Sequence, residues 1–178
     1  MIGHAFARAD SPAACRGDGV AGCGKTLVAA QLAERLGLPL LEGDDLHPDS
    51  DIEKVRRGAA LDAHDREDWT GRVAEALRAQ PAGAVLVWPA LRRSERDALR
   101  AAVPALRFAY LALSPHQAME RAAARTDQFY PPSHVGRQFE ALEPPRDEPG
   151  VQVLDGTEHV DRLVAQALRW LAPAFNNA

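Results

Sequence analysis

The sequence predicts an α/β fold, a parallel sheet with helices on both faces, and three observations predict it. Short apolar runs alternate with amphipathic stretches along all 178 residues. Several of those runs are β-branched or aromatic and end abruptly in polar residues, as buried strands do. The first amphipathic stretch opens directly on a glycine-rich turn. Strands joined through helices pair in parallel, and ligands collect beyond their carboxyl ends.

In chain order, "SPAACRGD" precedes the glycines but is poor strand material, because Pro12 lacks an N–H and Arg16 and Asp18 are costly to bury unpaired. Either a short, strained strand lies here or the start of the chain has diverged; residues 1 to 12 are expected to be poorly ordered. "KTLVAAQLAERLG" has apolar residues at helical spacing and stops at Gly37, a common helix terminator. "LPLLEGDD" is an apolar strand ending in carboxylates. Helices follow in "REDWTGRVAEALRAQ", "SERDALRAAV", "SPHQAMERAAART" and "EHVDRLVAQALRWLA", and strands in "GAVLVW", "RFAYLAL" and "VQVLD". No repeat or low-complexity linker divides the chain, so residues 1–178 are expected to form one domain.

The net charge of -4 gives no basic excess to draw the chain to nucleic acid or anionic lipid, which favours small-molecule chemistry. Two cysteines, Cys15 and Cys23, suggest neither a disulfide framework nor a zinc site. With no apolar run near the roughly 20 residues of a membrane span and no apolar leader, the expected location is the cytoplasm. Lysine occurs only at Lys25 and Lys54 among many arginines, so each invites a specific role, although coding bias toward arginine also explains it.

Residues 19–26, "GVAGCGKT", match G-x-x-x-x-G-K-[ST]. Gly19, Gly22 and Gly24 let the backbone close around phosphate oxygens without Cβ clashes, and the helix that follows turns its positive end to the anion. Lys25 then reaches the β- and γ-phosphates, and the Thr26 hydroxyl holds magnesium. The competing interpretation is a glycine-rich turn with a surface lysine.

"EGDDLHP", residues 42–48, leaves an apolar strand at its carboxyl edge, beside the phosphate loop. Phosphoryl transfer needs a carboxylate to orient the attacking hydroxyl and accept its proton, and aspartate, with a reference pKa of about 3.9, is ionised at neutral pH. Asp44 is the candidate base; Asp44 or Asp45 could instead cap the next helix, and His47 could simply close the turn before Pro48.

With these residues in hand, the chain resembles the gluconate kinases, small P-loop sugar-acid kinases. "GVAGCGKT" is similar to their phosphate loop and "GDDLHP" to their acceptor motif. "DIEKVRRGAALDAHDREDW" resembles their stretch with a lysine, a glycine and an Asp-Arg…Trp element, here Lys54, Gly58, Asp65, Arg66 and Trp69. "PALRRSERDALR" and "RAAART…QFEALEPP" resemble the segment after their third strand and their lid. The resemblance implies a three-layer α/β/α, nucleoside-monophosphate-kinase-like fold with a five-stranded parallel sheet and a small lid at about 121–137. It also implies ATP with Mg2+ as donor and the 6-hydroxyl of D-gluconate as acceptor, with a homodimer compatible. Asp44 would be the base, Arg121 and Arg125 would close over the donor phosphates, and His47, Lys54, Arg66 and Arg92 would meet the sugar acid. Arg121 and Arg125 stand four apart on one helical face, a spacing equally usual on a solvated surface. Trp69 and Phe139 read as core residues.

The pattern breaks at Trp88-Pro89, where the family has a small Cys-Ser pair, and at Asp127-Gln128, where it has Gly-His. Asp51 replaces an asparagine, so added negative charge would oppose an anionic substrate unless it faces solvent. Two alternatives therefore stand beside the gluconate kinase: a nucleotide-binding module with weak or no transfer activity, and a related kinase with another sugar-acid or polyol acceptor.

Overall fold

The computed structural model describes residues 4–5, 14–17, 24–57, 59–123 and 133–175. Its strands are β1 (His4–Ala5), β2 (Ala14–Gly17), β3 (Leu40–Glu42), β4 (Ala84–Val87), β5 (Phe108–Ala112) and β6 (Val151–Asp155). Its helices are α1 (Lys25–Leu36), α2 (Asp49–Arg56), α3 (Ala63–Arg78), α4 (Arg93–Ala102), α5 (Pro115–Ala123), α6 (Ser133–Ala141) and α7 (Val160–Phe175), with a 3-10 turn at Gly43–Leu46.

One sheet runs in the order β3-β4-β2-β1-β5-β6. The expected five-stranded parallel sheet is corrected on this point: two parallel groups, β3-β4-β2 and β5-β6, meet through β1, which is antiparallel to both β2 and β5. A two-residue strand has no alternation to read, and its pairing is set by the free backbone groups of the strands on either side. "ACRG" forms β2 in spite of its composition, with Ala14 to Gly17 in parallel register with β4 from Ala84 to Val87. Apart from His4–Ala5, the segment 1–12 lies outside the described residues.

Burial gives three layers. β4 is buried throughout, and its side chains alternate between two cores, as a strand covered on both faces requires. Val85 and Val87 join α1 and α7 through Val28, Leu32, Leu163 and Leu171. Ala84, Leu86 and Trp88 join α3 and α4 through Trp69, Val73, Leu77 and Leu99. Trp69 is thus core as expected, and Phe139 is half-buried against the first cluster. Gly37 ends α1 in the left-handed region, φ 64°, which glycine adopts without a Cβ penalty.

A buried ionic cluster holds the chain after β4. The Arg96 guanidinium, 1% exposed, donates to the carbonyls of Ala90 (2.8 Å), Leu91 (3.2 Å) and Glu143 (2.9 Å) and to Glu148 Oε2 (3.0 Å). Arg100 donates to the same carboxylate at 2.8 Å. Burial alone would raise the Glu148 pKa, but hydrogen bonds and charge from both arginines hold it below the usual glutamate value. The Glu143 amide donates to the Leu91 carbonyl at 2.8 Å, so the segment leaving α6 is sewn to the segment leaving β4.

Candidate active site

Three strands end in line. β2, β4 and β3 place Gly17, Val87 and Glu42 in one register, so the segments after each leave from the same edge of the sheet. From that edge come the turn into α1, the Trp88-Pro89 step and the 3-10 turn carrying Asp44.

On the first of these, Gly24 caps α1 at φ 87°, a conformation that strains any side chain, and Lys25 and Thr26 form the first turn. That turn holds no acidic residue to compete with an anion for the helix dipole. Lys25 is half-buried and Thr26 exposed. The motif's Gly19 and Gly22 lie outside the described residues, as do Arg125, Asp127 and Gln128.

Facing them, the turn after β3 carries Asp44. Its carboxyl is open to solvent yet flanked by enough protein that incomplete hydration raises its pKa; Lys25 and then His47 oppose the rise, and Asp45 adds to it. Glu42 is pushed up to about 7 by burial, then by Asp44 and Asp45, against Lys25. Lys25 is therefore near enough to act on both carboxylates. Neither Asp44 nor Asp45 caps a helix: the residue before the 3-10 turn is Glu42 and that before α2 is Pro48.

Aromatic packing fixes this turn. The Trp69 indole donates from Nε1 to the Gly43 carbonyl at 2.8 Å and stacks on His47 with centroids 3.7 Å apart. Trp88 meets Trp69 edge to face at 5.1 Å. A Cβ on Gly43 would lie 2.6 Å from Trp88 Cδ1, so the indole that replaces a small residue fits only because position 43 is glycine. His47 Nδ1 lies 3.3 Å from Asp51 Oδ2, both buried. Burial lowers the His47 pKa more than Asp51 and Asp44 raise it, which keeps the ring neutral at neutral pH. Asp51 is thus turned inward onto His47 and away from solvent.

The remaining candidate residues divide. Lys54 is bound to Asp65, the N3 residue of the α3 capping box, and lies 3.7 Å from Asp62. The hydrogen bond to Asp65 is the main reason its pKa is raised. Arg66 lies 3.7 Å from Glu95 and lines two clefts: a small one of about 120 Å³ with Trp69 and Pro89, and one of about 520 Å³ between α3 and α4 with Arg92. Arg92 lines only the second of these two. Arg121 donates to the Gly156 carbonyl at 2.8 Å, beyond the end of β6. The structure therefore brings together Lys25, Thr26, Asp44 and His47, sets Arg66 next to them through Trp69, draws Lys54 toward Asp65 on α3, and places Arg92 in the cleft between α3 and α4. The role of Trp69 in holding Asp44's turn was not read from the sequence; the signal was available, because a buried indole N–H needs an acceptor.

Magnesium bound with a nucleotide takes few protein oxygens and keeps its waters, so the exposed Thr26 hydroxyl at a helix N-terminus fits the ion. Among the described residues no three His, Cys, Asp or Glu side chains gather as a metal cluster, and no helix is long and apolar enough to cross a membrane.

A family model described as an AAA domain matches residues 18–145. A gluconokinase of Gluconobacter oxydans is 37% identical over 154 residues, covering 85% of this chain and 86% of that one. The thermoresistant gluconokinase of Escherichia coli is 35% identical, covering 84% and 88%. A solved gluconokinase structure from Sinorhizobium meliloti superposes with a TM-score of 0.78 at 35% identity, covering 90% and 91%. The edge that sets a glycine-capped lysine against a carboxylate is accordingly that of a P-loop kinase. Within that class, the chain belongs to the gluconokinase family.

Proposed function

We propose that the protein transfers the γ-phosphate of ATP to the 6-hydroxyl of D-gluconate, giving 6-phosphogluconate and ADP. The observation that carries this reading is the shared edge: Asp44 and Lys25 follow β3 and β2, the two strands that flank β4, close enough for their charges to interact.

The amides of residues 19–24 and Lys25 bind the donor phosphates, with Gly19, Gly22 and Gly24 permitting close approach. Magnesium, held by Thr26, neutralises phosphate charge when bound. Asp44 accepts the proton of the 6-hydroxyl as its oxygen bonds to the γ-phosphorus and ADP leaves. Burial raises its pKa, against the pull of Lys25, which makes it a stronger base than an ordinary aspartate. His47, buried against Trp69 and Asp51, shapes the acceptor side of the site from behind Asp44's turn. Arg66 meets the acidic acceptor, Lys54 joins it only by leaving Asp65, Arg92 joins it from the cleft between α3 and α4, and Arg121 and Arg125 close over the phosphates. The same reading carries a single kinase domain with a lid at about 121–137, a cytoplasmic setting, no nucleic-acid or membrane partner, and a homodimer.

The test is magnesium-dependent ADP release on adding gluconate, abolished in Lys25→Ala and slowed by orders of magnitude in Asp44→Asn. Release equal with and without gluconate sinks the reading; ATP binding without turnover on any sugar acid favours a bare nucleotide-binding module, and turnover on another acid or polyol a different acceptor.

A further inference from the structure

We infer that Arg137, on α6, is a specificity-determining residue that joins Arg66 in gripping the acceptor's carboxylate, an inference that rests on the acceptor reading above. Both arginines line the small cleft behind Asp44's turn, together with Trp69, Pro89 and Leu91. Among the described residues lining it they are the two charged groups, and no carboxylate is part of its lining. Apolar walls reduce the screening of such charge, so the cleft is selective for an anion. Its volume of about 120 Å³ leaves room for a carboxylate group. Two guanidinium forks answer the two oxygens of one carboxylate.

Position and rigidity support the assignment. The cleft touches the catalytic turn through Trp69, whose indole holds the Gly43 carbonyl next to Asp44. Pro89 stands two residues after Val87, so the cleft opens at the edge that carries the reacting groups. Arg66 has Glu95 3.7 Å from its guanidinium, which spends part of its charge before any ligand arrives, and Arg137 supplies the second positive charge. α6 is anchored by buried Val135 and half-buried Phe139 on one side and by the Arg96 and Glu143 bonds at its end, so exposed Arg137 is presented from a fixed support. A clamp built from α3 and α6 also explains how an anion can be accepted although Asp51 adds an acidic group nearby: Asp51 is spent on His47, away from the cleft.

Steady-state kinetics with gluconate and ATP test this on the whole chain. Arg137→Ala should raise KM for gluconate by about tenfold or more, the factor that 1.4 kcal/mol represents, while changing kcat and KM for ATP by less than about threefold. Arg137→Lys should recover part of the loss and Arg137→Gln, which is polar but uncharged, should not. Arg137 is exposed, so the melting temperature of each variant should match that of the parent. A gluconate KM unchanged in Arg137→Ala, with the parent enzyme active, overturns the clamp and leaves the acceptor reading standing. A parent that turns over no gluconate overturns both.

Discussion

The proposed acceptor wall and the proposed phosphate edge of this site are built by different means. Around Asp44 the polar groups are fixed by buried neighbours: the Gly43 carbonyl by Trp69, His47 by Asp51, and Gly43 itself by the face of Trp88. At the start of α1, Lys25 is half-buried, Thr26 is exposed, and the geometry comes from a left-handed glycine and the end of a helix. The acceptor wall is preorganised by packing, so altering it should cost stability and activity together. The phosphate edge is preorganised by backbone and charge, so altering it should cost activity alone.

The hardest blow to the packed side is Glu148→Ala, which removes the carboxylate answering buried Arg96 and Arg100. Breaking such a cluster from one side should lower the unfolding free energy by about 3–5 kcal/mol in denaturant titrations. Next comes Gly43→Ala, which drives a methyl group into Trp88: about 1–3 kcal/mol of stability should be lost along with most of the turnover, because the same turn bears Asp44. Thr26→Ala is the matched contrast, with stability within about 0.5 kcal/mol of the parent and magnesium-dependent ADP release down at least tenfold. A Thr26→Ala enzyme that unfolds as readily as Gly43→Ala would erase the distinction.

The mildest effect is one of pH. Glu42 has a folded pKa of about 7 against an ordinary 4.5, so the folded state holds its proton more tightly than the unfolded one. Stability should fall as pH rises from about 4.5 through about 7, the window in which the unfolded chain has already released that proton. Glu42→Gln should therefore melt higher than the parent at pH 8 and no higher at pH 4. A pH-independent difference would mean that the charge of Glu42 is not what matters there.

Much of this was legible in the sequence, and what was not has identifiable causes. The apolar runs "LPLLE", "GAVLVW", "RFAYLAL" and "VQVLD" each hold a strand, buried in β4 and β5 and less covered in the outer β3 and β6, and α1 ends at the expected Gly37. β2 was obscured by Arg16 and Gly17, yet its backbone pairs with β4, because a strand flanked on both sides is held by ladder hydrogen bonds whatever its own propensity. The position of Asp44 just beyond a strand was legible because a motif and a strand end coincide. The partners of Lys54, Trp69 and Arg96 lie 11, 26 and 52 residues away, separations that no periodicity encodes. The two clefts lined by Arg66 come from the spacing between helices and could not be read from either helix alone.

β3 is three residues long and meets β4 through just three facing pairs. Such a short ruler has no redundancy: a slip of one notch would carry Asp44 about 3.3 Å along the strand axis and reverse which face each side chain takes. An insertion or deletion between Pro39 and Gly43 should therefore silence the enzyme even where the chain still folds.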